Sequence, residues 1–303
     1  MSDTLTAEKS WAAIRGKAPA IFDVLDVREA TRQDYLYRLG LFIEFINQHG
    51  LCRNSFLEFK RYLADRGDFC PATKNKYLVA ARVFLKELNR QGMLAADITQ
   101  NIHAFEQAKK HKCDGLNERE IRRLAATVRK MSPTPDALRL KALLCLMVLQ
   151  GLRQIEVIRL DFSDVDLTNR QLFIRGKGRD DKEAVFLHPS SVKALGQYIK
   201  SSGLSSGPLF KSQSNNHRGG RLTARSLRFI IKKTFRRLGI YKNLHGLRHY
   251  FVTKLLRSYG GDILEVAKFS RHKGLEMLQV YNDALLMQKE LPRYYRAFGG
   301  LSF

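Results

Sequence analysis

The sequence predicts a mainly α-helical chain in two domains: an all-helical N-terminal domain, and a mostly helical second domain that carries a small antiparallel β-sheet. Three observations carry this expectation. Apolar residues recur at helical spacing through most of the chain; a polar, basic stretch without periodicity interrupts them at residues 107–115; and residues 171–187 alternate in strand fashion around a glycine-rich turn. With 303 residues, 44% hydrophobic and 27% charged, the chain can bury a core in each of two ordinary domains. The expected boundaries are 1–112 and 113–303.

Thr31 followed by Asp34 predicts a helix start, and Leu36, Leu39, Ile43 and Ile46 continue it to Gly50, giving a helix over about 32–48. A shorter helix is expected over 55–66. After Pro71, Thr73 is expected to cap a helix whose buried stripe is Tyr77, Ala80, Ala81, Phe84, Leu85 and Leu88, and Gly92 ends it. Its other face carries Lys74, Lys76 and Arg82, and a further helix is expected at about 95–107. In the second domain Asn117 and Glu120 form a capping pair for a helix over 117–130, followed by an apolar helix over 136–150 and another from near Arg153. Residues 171–175 and 184–187 are expected to pair as a hairpin with a basic tip. From 223 to 238, Leu227, Ile230, Ile231, Phe235 and Leu238 form one helix face and Arg225, Arg228, Lys232 and Arg236 another, a shape that fits a major groove.

Charge narrows the partner. Lys and Arg number 53 against 29 Asp and Glu, a net charge of +24, and residues 201–250 hold eleven basic residues and no acidic one. An ordinary solvated face mixes signs, so this segment is expected to lie along phosphate, and a polyanionic partner is the economical reading. The longest apolar run, 142–149, is too short to cross a bilayer, and the start Met-Ser-Asp-Thr lacks the pattern of a secretion signal. No membrane partner is expected; the protein belongs in the cytoplasm with the nucleoid. Cys52, Cys70, Cys113 and Cys145 match no zinc or CxxC spacing and are expected to be reduced and structural.

Four short pieces carry chemistry together: Gly151-Leu152-Arg153-Gln154-Ile155-Glu156, Gly176-Lys177-Gly178, His245-Gly246-Leu247-Arg248-His249, and Arg271-His272 with Tyr281 nine residues on. On a helix His245, Arg248 and His249 share a face. Two guanidiniums can hold the non-bridging oxygens of a phosphodiester and stabilise the charge that develops when it is attacked. A phenol, with an ordinary pKa near 10, is a modest nucleophile and a modest leaving group, which suits a reversible covalent step. A hairpin lysine can protonate the departing sugar oxygen. A metal site on His245, His249 and His272 is not expected, since no carboxylate or cysteine completes it and the arginines would repel the ion. No cofactor is expected.

In order and spacing these pieces resemble the tyrosine recombinase (phage integrase) family: 24 residues from Arg153 to Lys177, 68 to His245, 3 to Arg248, 24 to His272 and 9 to Tyr281. The resemblance spans about 114–290 and implies a catalytic domain there, preceded by a core-binding (SAM-like) domain that contacts DNA through Lys74, Lys76 and Arg82. It implies Arg153 and Arg248 on the scissile phosphate, Lys177 as general acid, His245 and His272 assisting, and Tyr281 forming a 3′-phosphotyrosyl link. Glu156 and His249 are supporting residues. Implied partners are double-stranded DNA with paired inverted half-sites and a homotetramer on two sites, monomer or dimer off DNA. The simple two-domain form, without room for an extra arm-binding domain, points to a mobile-element recombinase. Two alternatives stay open: a DNA-relaxing enzyme of the type IB topoisomerase kind, and a DNA-binding regulator without catalysis. The chain departs from the family pattern at Ser270-Arg271, where Leu-Gly often precedes the last histidine, and lacks paired threonines before the tyrosine.

Overall fold

The computed structural model describes residues 18–107, 115–176, 181–213, 219–272 and 274–299. The chain divides into two compact units, Met1–Lys109 and Lys110–Phe303.

In the first unit, α1 (Ala18–Asp23), α2 (Glu29–His49), α3 (Ser55–Asp65) and α4 (Pro71–Arg90) enclose a core rich in phenylalanine. Phe22, Phe42, Phe56, Phe59 and Phe84 are fully buried there with Leu39, Ile46 and Leu63. Each such side chain contributes about 1.5–3 kcal/mol by leaving water. Two helix starts differ from the sequence reading. α2 begins before Thr31, at Glu29, and Asp34 instead pairs with Arg38 one turn on. α4 starts at Pro71, whose missing N–H and fixed φ suit the first helical position, so Cys70 rather than Thr73 is its N-cap. The helix expected at 95–107 does not form. Asp97 turns the chain by accepting from the Thr99 N–H and hydroxyl, at 2.9 and 2.6 Å. Asn75 then pins the segment by bonding both backbone groups of Phe105, at 2.8 and 2.9 Å. These side-chain bonds satisfy the backbone without a helix.

The second unit contains α5 (Glu118–Lys130), α6 (Pro135–Leu149), α7 (Gln154–Arg159), a 3₁₀ turn (Phe162–Asp164), β1 (Val165–Asp166), β2 (Gln171–Arg175), β3 (Lys182–Phe186), α8 (Pro189–Ser202), α9 (Ala224–Arg237), α10 (His245–Ser258), α11 (Ile263–Ser270) and α12 (Leu275–Ala297). The expected capping box is present: the Glu120 N–H donates to Asn117 Oδ1, and Glu120 accepts from the Asn117 N–H. The sheet is antiparallel, in the order β1-β2-β3, with Leu172 opposite Val185 and Arg175 opposite Lys182. Lys182, at the turn end of the hairpin, is tied to the buried carboxylate of Asp164. Strand β1 and helices α8, α11 and α12 were not anticipated from the sequence. α6 forms the centre of the large core, burying Leu140, Leu143, Leu146 and Met147 with Leu172, Leu195, Leu227, Phe235 and Leu247. Phe251, Val252, Leu256, Val266, Leu278 and Tyr281 form a second, smaller core among α10, α11 and α12.

Candidate active site

The site begins where α6 ends. Gly151 turns the chain with φ +60°, and a Cβ there would lie 2.2 Å from the Phe251 ring, so this position admits glycine alone. The turn delivers Arg153 to the N-cap of α7. Arg153 binds Glu156 twice, through its own N–H at 2.8 Å and through Nη1 at 2.7 Å. Glu156 is 1% exposed, while the Arg153 side chain remains 31% exposed and can reach an incoming anion.

Arg248, on the first turns of α10, is 3% exposed. Its Nη1 donates to the Gly151 carbonyl at 2.6 Å and its Nη2 to the Ser270 carbonyl at 2.5 Å, tying α10 to the α6 turn and to the end of α11. A third guanidinium joins them. Arg271, 8% exposed, donates through Nη1 to the carbonyls of Gln150 and Phe269, and through Nη2 to Gly151 O and to Glu156 Oε2 at 3.4 Å. It caps α11 in the left-handed region at φ 56°, a conformation L-residues adopt at a cost of about 1–2 kcal/mol. The glycine that often fills this place in the family pattern has no such cost; here the four acceptors on Arg271 hold the backbone in place.

Arg153, Arg248 and Arg271 gather around the buried carboxylate of Glu156, with Glu183 also acting on Arg271, so positive charge is in excess in a largely buried pocket. Burial works to raise the Glu156 carboxyl, but the charge of Arg271 and the hydrogen bonds of Arg153 outweigh it and hold the group below its ordinary range. Burial, then the charges of Arg153 and Arg271, push Arg248 down to about 9, so it remains a cation at neutral pH. Burial, then the charges of Arg248 and Arg153, push His272 down to about 3, so its imidazole is neutral; its Nδ1 lies 2.8 Å from Ser270 Oγ. Such a pocket is pre-set to bind a phosphodiester and to stabilise the second negative charge it develops under attack.

Tyr281 lies on α12, 6% exposed, with its hydroxyl 2.5 Å from His249 Nδ1. His249 meets the exposed His245 edge-on at 4.5 Å, and the His272 ring centre is 6.5 Å from that of Tyr281. Thus the described candidates Arg153, Glu156, His245, Arg248, His249, His272 and Tyr281 gather in one place. Lys177, with Gly178 and Arg179 beside it, lies outside the described residues. Arg225, Arg228 and Lys232 are exposed together on α9 while Leu227, Ile231 and Phe235 face inward. In the first unit Lys76 is exposed; Lys74 donates to the Ala64 carbonyl at 2.7 Å, and Arg82 donates to the Ile102 carbonyl and lies over the Phe56 ring. Sequence reasoning missed Arg271 as a member of the pocket. The signal was there, as a charged residue where the family pattern has a small one.

A mainly helical frame that sets a buried tyrosine against imidazoles and an arginine pocket defines a tyrosine recombinase. The chain belongs to the phage integrase family, whose sequence profile matches residues 115–286. It is 28% identical over 223 residues to the tyrosine recombinase slr0733 of Synechocystis, covering 71% of this chain and 69% of that one. It is 31% identical over 210 residues to the tyrosine recombinase XerC of Actinobacillus pleuropneumoniae, covering 67% and 65%. Among solved structures its fold is similar to the XerH site-specific recombinase in a post-cleavage complex with its palindromic difH substrate, with TM-score 0.72 and 21% identity over 87% of this chain and 79% of that one. It is also similar to a lambda integrase tetramer bound to a Holliday junction, with TM-score 0.68 and 14% identity over 92% and 81%.

Proposed function

We propose that this chain is a site-specific recombinase that cuts and rejoins DNA strands through a 3′-phosphotyrosyl intermediate on Tyr281, integrating, excising or resolving a mobile element. The observation that carries the reading is the convergence of the Tyr281 hydroxyl, imidazoles and the arginine pocket. In this scheme Arg153 and Arg248 grip the non-bridging oxygens of the scissile phosphate. Glu156 and Arg271 hold Arg153 and the Gly151 carbonyl in position. The Tyr281 oxygen bonds to phosphorus as the bond to the 5′ oxygen breaks, and Lys177 gives that oxygen its proton. His245 and His272 supply further hydrogen bonds to the phosphate. The bond energy stays in the phosphotyrosine, so the scheme needs no cofactor.

Residues 1–112 serve as the core-binding domain, with Lys76 its most accessible contact, and residues 113–303 carry the chemistry, with α9 along the groove. The working form is a homotetramer on two sites, each a pair of inverted half-sites. The neighbours bound to DNA, one of them a tetramer, support this. So does the exposed apolar surface of α12, where Leu286, Met287, Tyr294, Tyr295 and the following Phe298 face outward. Such a surface calls for a partner, and a neighbouring copy is the one the tetramer supplies. The test incubates the full chain with two copies of the DNA flanking its gene. Recombined junctions are expected; relaxed circles alone would replace the reading with a relaxing enzyme. Deletion after Met287 should leave DNA binding but abolish the paired complex.

The acid is tested separately. Lys177→Ala should be nearly inactive on ordinary DNA, by about 10²–10⁴ in rate, and should recover when the departing 5′ oxygen is replaced by sulfur, whose thiol-like pKa of about 8.5 needs little help to leave. Rescue of Lys182→Ala instead would move the role along the hairpin.

A further inference from the structure

We infer that His249 is the group that takes the phenolic proton of Tyr281 when its oxygen attacks phosphorus, and returns it when the strand is resealed. The inference rests on Tyr281 being the nucleophile.

The geometry carries it. His249 Nδ1 is 2.5 Å from the Tyr281 hydroxyl, within the reach a general base needs, and the two ring centres are 5.2 Å apart. The other two imidazoles stand differently: His272 holds Ser270 Oγ with its Nδ1, and the exposed His245 meets the His249 ring edge-on. His249 is backed by Gly115, where a Cβ would come within 3.0 Å of the His249 Cβ, so the chain entering the unit leaves this ring its place. For a phenol to donate, Nδ1 must be bare and the ring proton must sit on Nε2.

In the cleavage step the Tyr281 oxygen forms its bond to phosphorus and the bond to the 5′ oxygen breaks. The electron pair leaves on that oxygen, which takes a proton from the hairpin acid, while the phenolic proton passes to His249 Nδ1. Resealing reverses each transfer.

His249→Asn tests this, since its side-chain oxygen can stand near the Nδ1 position and accept a hydrogen bond but cannot take up a proton. The full chain is assayed on three DNA probes: an intact duplex for binding, a nicked suicide duplex for covalent adduct, and a duplex bearing a 3′-p-nitrophenyl phosphate opposite a free 5′-hydroxyl. Joining on the last expels p-nitrophenolate and uses neither the tyrosine nor its proton. His249→Asn should bind as wild type, form adduct on the order of 10²–10³ times more slowly, and join the p-nitrophenyl ester at the wild-type rate. Adduct formation within about threefold of wild type would overturn the inference, leaving only a hydrogen bond. Parallel loss of adduct and joining would overturn it too, by showing damage to the arginine pocket. Adduct formation by Tyr281→Phe would instead remove the premise, a result distinct from both.

Discussion

Within the second unit Arg153 and Tyr281 are held by cores of different size. Arg153 and Glu156 leave the end of α6, the most deeply buried helix of the large core, whereas Tyr281 belongs to the small cluster of Phe251, Val252, Leu256, Val266 and Leu278. Beyond that cluster α12 exposes much of its length. The difference separates two jobs. Charge stabilisation works best when donors are fixed before the substrate arrives, because no reorganisation is then spent in the reaction. A nucleophile buried at rest must be uncovered, and a helix held by few apolar contacts opens at lower cost.

Loss of a fixed guanidinium should have the largest effect. Arg248→Ala should lower adduct formation and ester joining together by at least about 10²–10³, since both pass through the same charged transition state. Loss of one activity alone would break the division of labour drawn here. Core truncations sharpen it. Leu143→Ala, in the large core, should lower unfolding stability by about 2–5 kcal/mol. Leu278→Ala, equally buried, should instead slow adduct formation more than ester joining, because Tyr281 sits in its cluster while Arg153 leaves the large core. Joining assays on both variants, with denaturant unfolding, check this.

Arg271→Gly tests the joint between the regions. Breaking a buried ion pair costs about 3–5 kcal/mol, reduced here because Arg153 still pairs with Glu156, and relief of the left-handed backbone returns about 1 kcal/mol. A net loss of about 2 kcal/mol in chemical unfolding is expected; equal or greater stability would show that Arg271 does not hold the pocket. On the DNA face, Arg225→Ala, Arg228→Ala and Lys232→Ala should each weaken binding without unfolding and reduce the salt slope by about 0.9, one phosphate's share. Wild-type affinity at about 0.15 M salt in all three would remove α9 from the groove. The smallest effect concerns acid. His272 is neutral when folded, with its value pushed from 6.5 down to about 3, so the unfolded chain binds the extra proton between those values. Its contribution to stability is therefore present above about pH 6.5 and is lost as the pH falls toward 3. His272→Gln should show a shallower fall in melting temperature over that window than wild type.

Much of this arrangement was legible in the sequence because its signals are local. The Asn117-Glu120 cap, the stripes of α4 and α9 and the spacing from Arg153 to Tyr281 each follow from residues close in the chain or from a family pattern. What escaped depended on contacts across the fold. Nothing near residues 95–107 announces that Asn75 and Arg82 will hold that segment as turns. Arg271 stands in the sequence only as the neighbour of His272, and its place in the pocket appears when α6, α7 and α11 bring Gln150, Gly151, Glu156 and Phe269 around it. His249 was expected to support the site, but its hydrogen bond to Tyr281, 32 residues away, belongs to the packing of α10 on α12.

Everything above turns on Tyr281 forming the covalent link to DNA. The direct measurement is a nicked suicide duplex incubated with the full chain, followed by protease digestion and mass mapping of the DNA-linked peptide. An adduct is expected on the peptide containing Tyr281, and none with Tyr281→Phe despite normal DNA binding. An adduct on Tyr294 or Tyr295, or one that survives Tyr281→Phe, would contradict it.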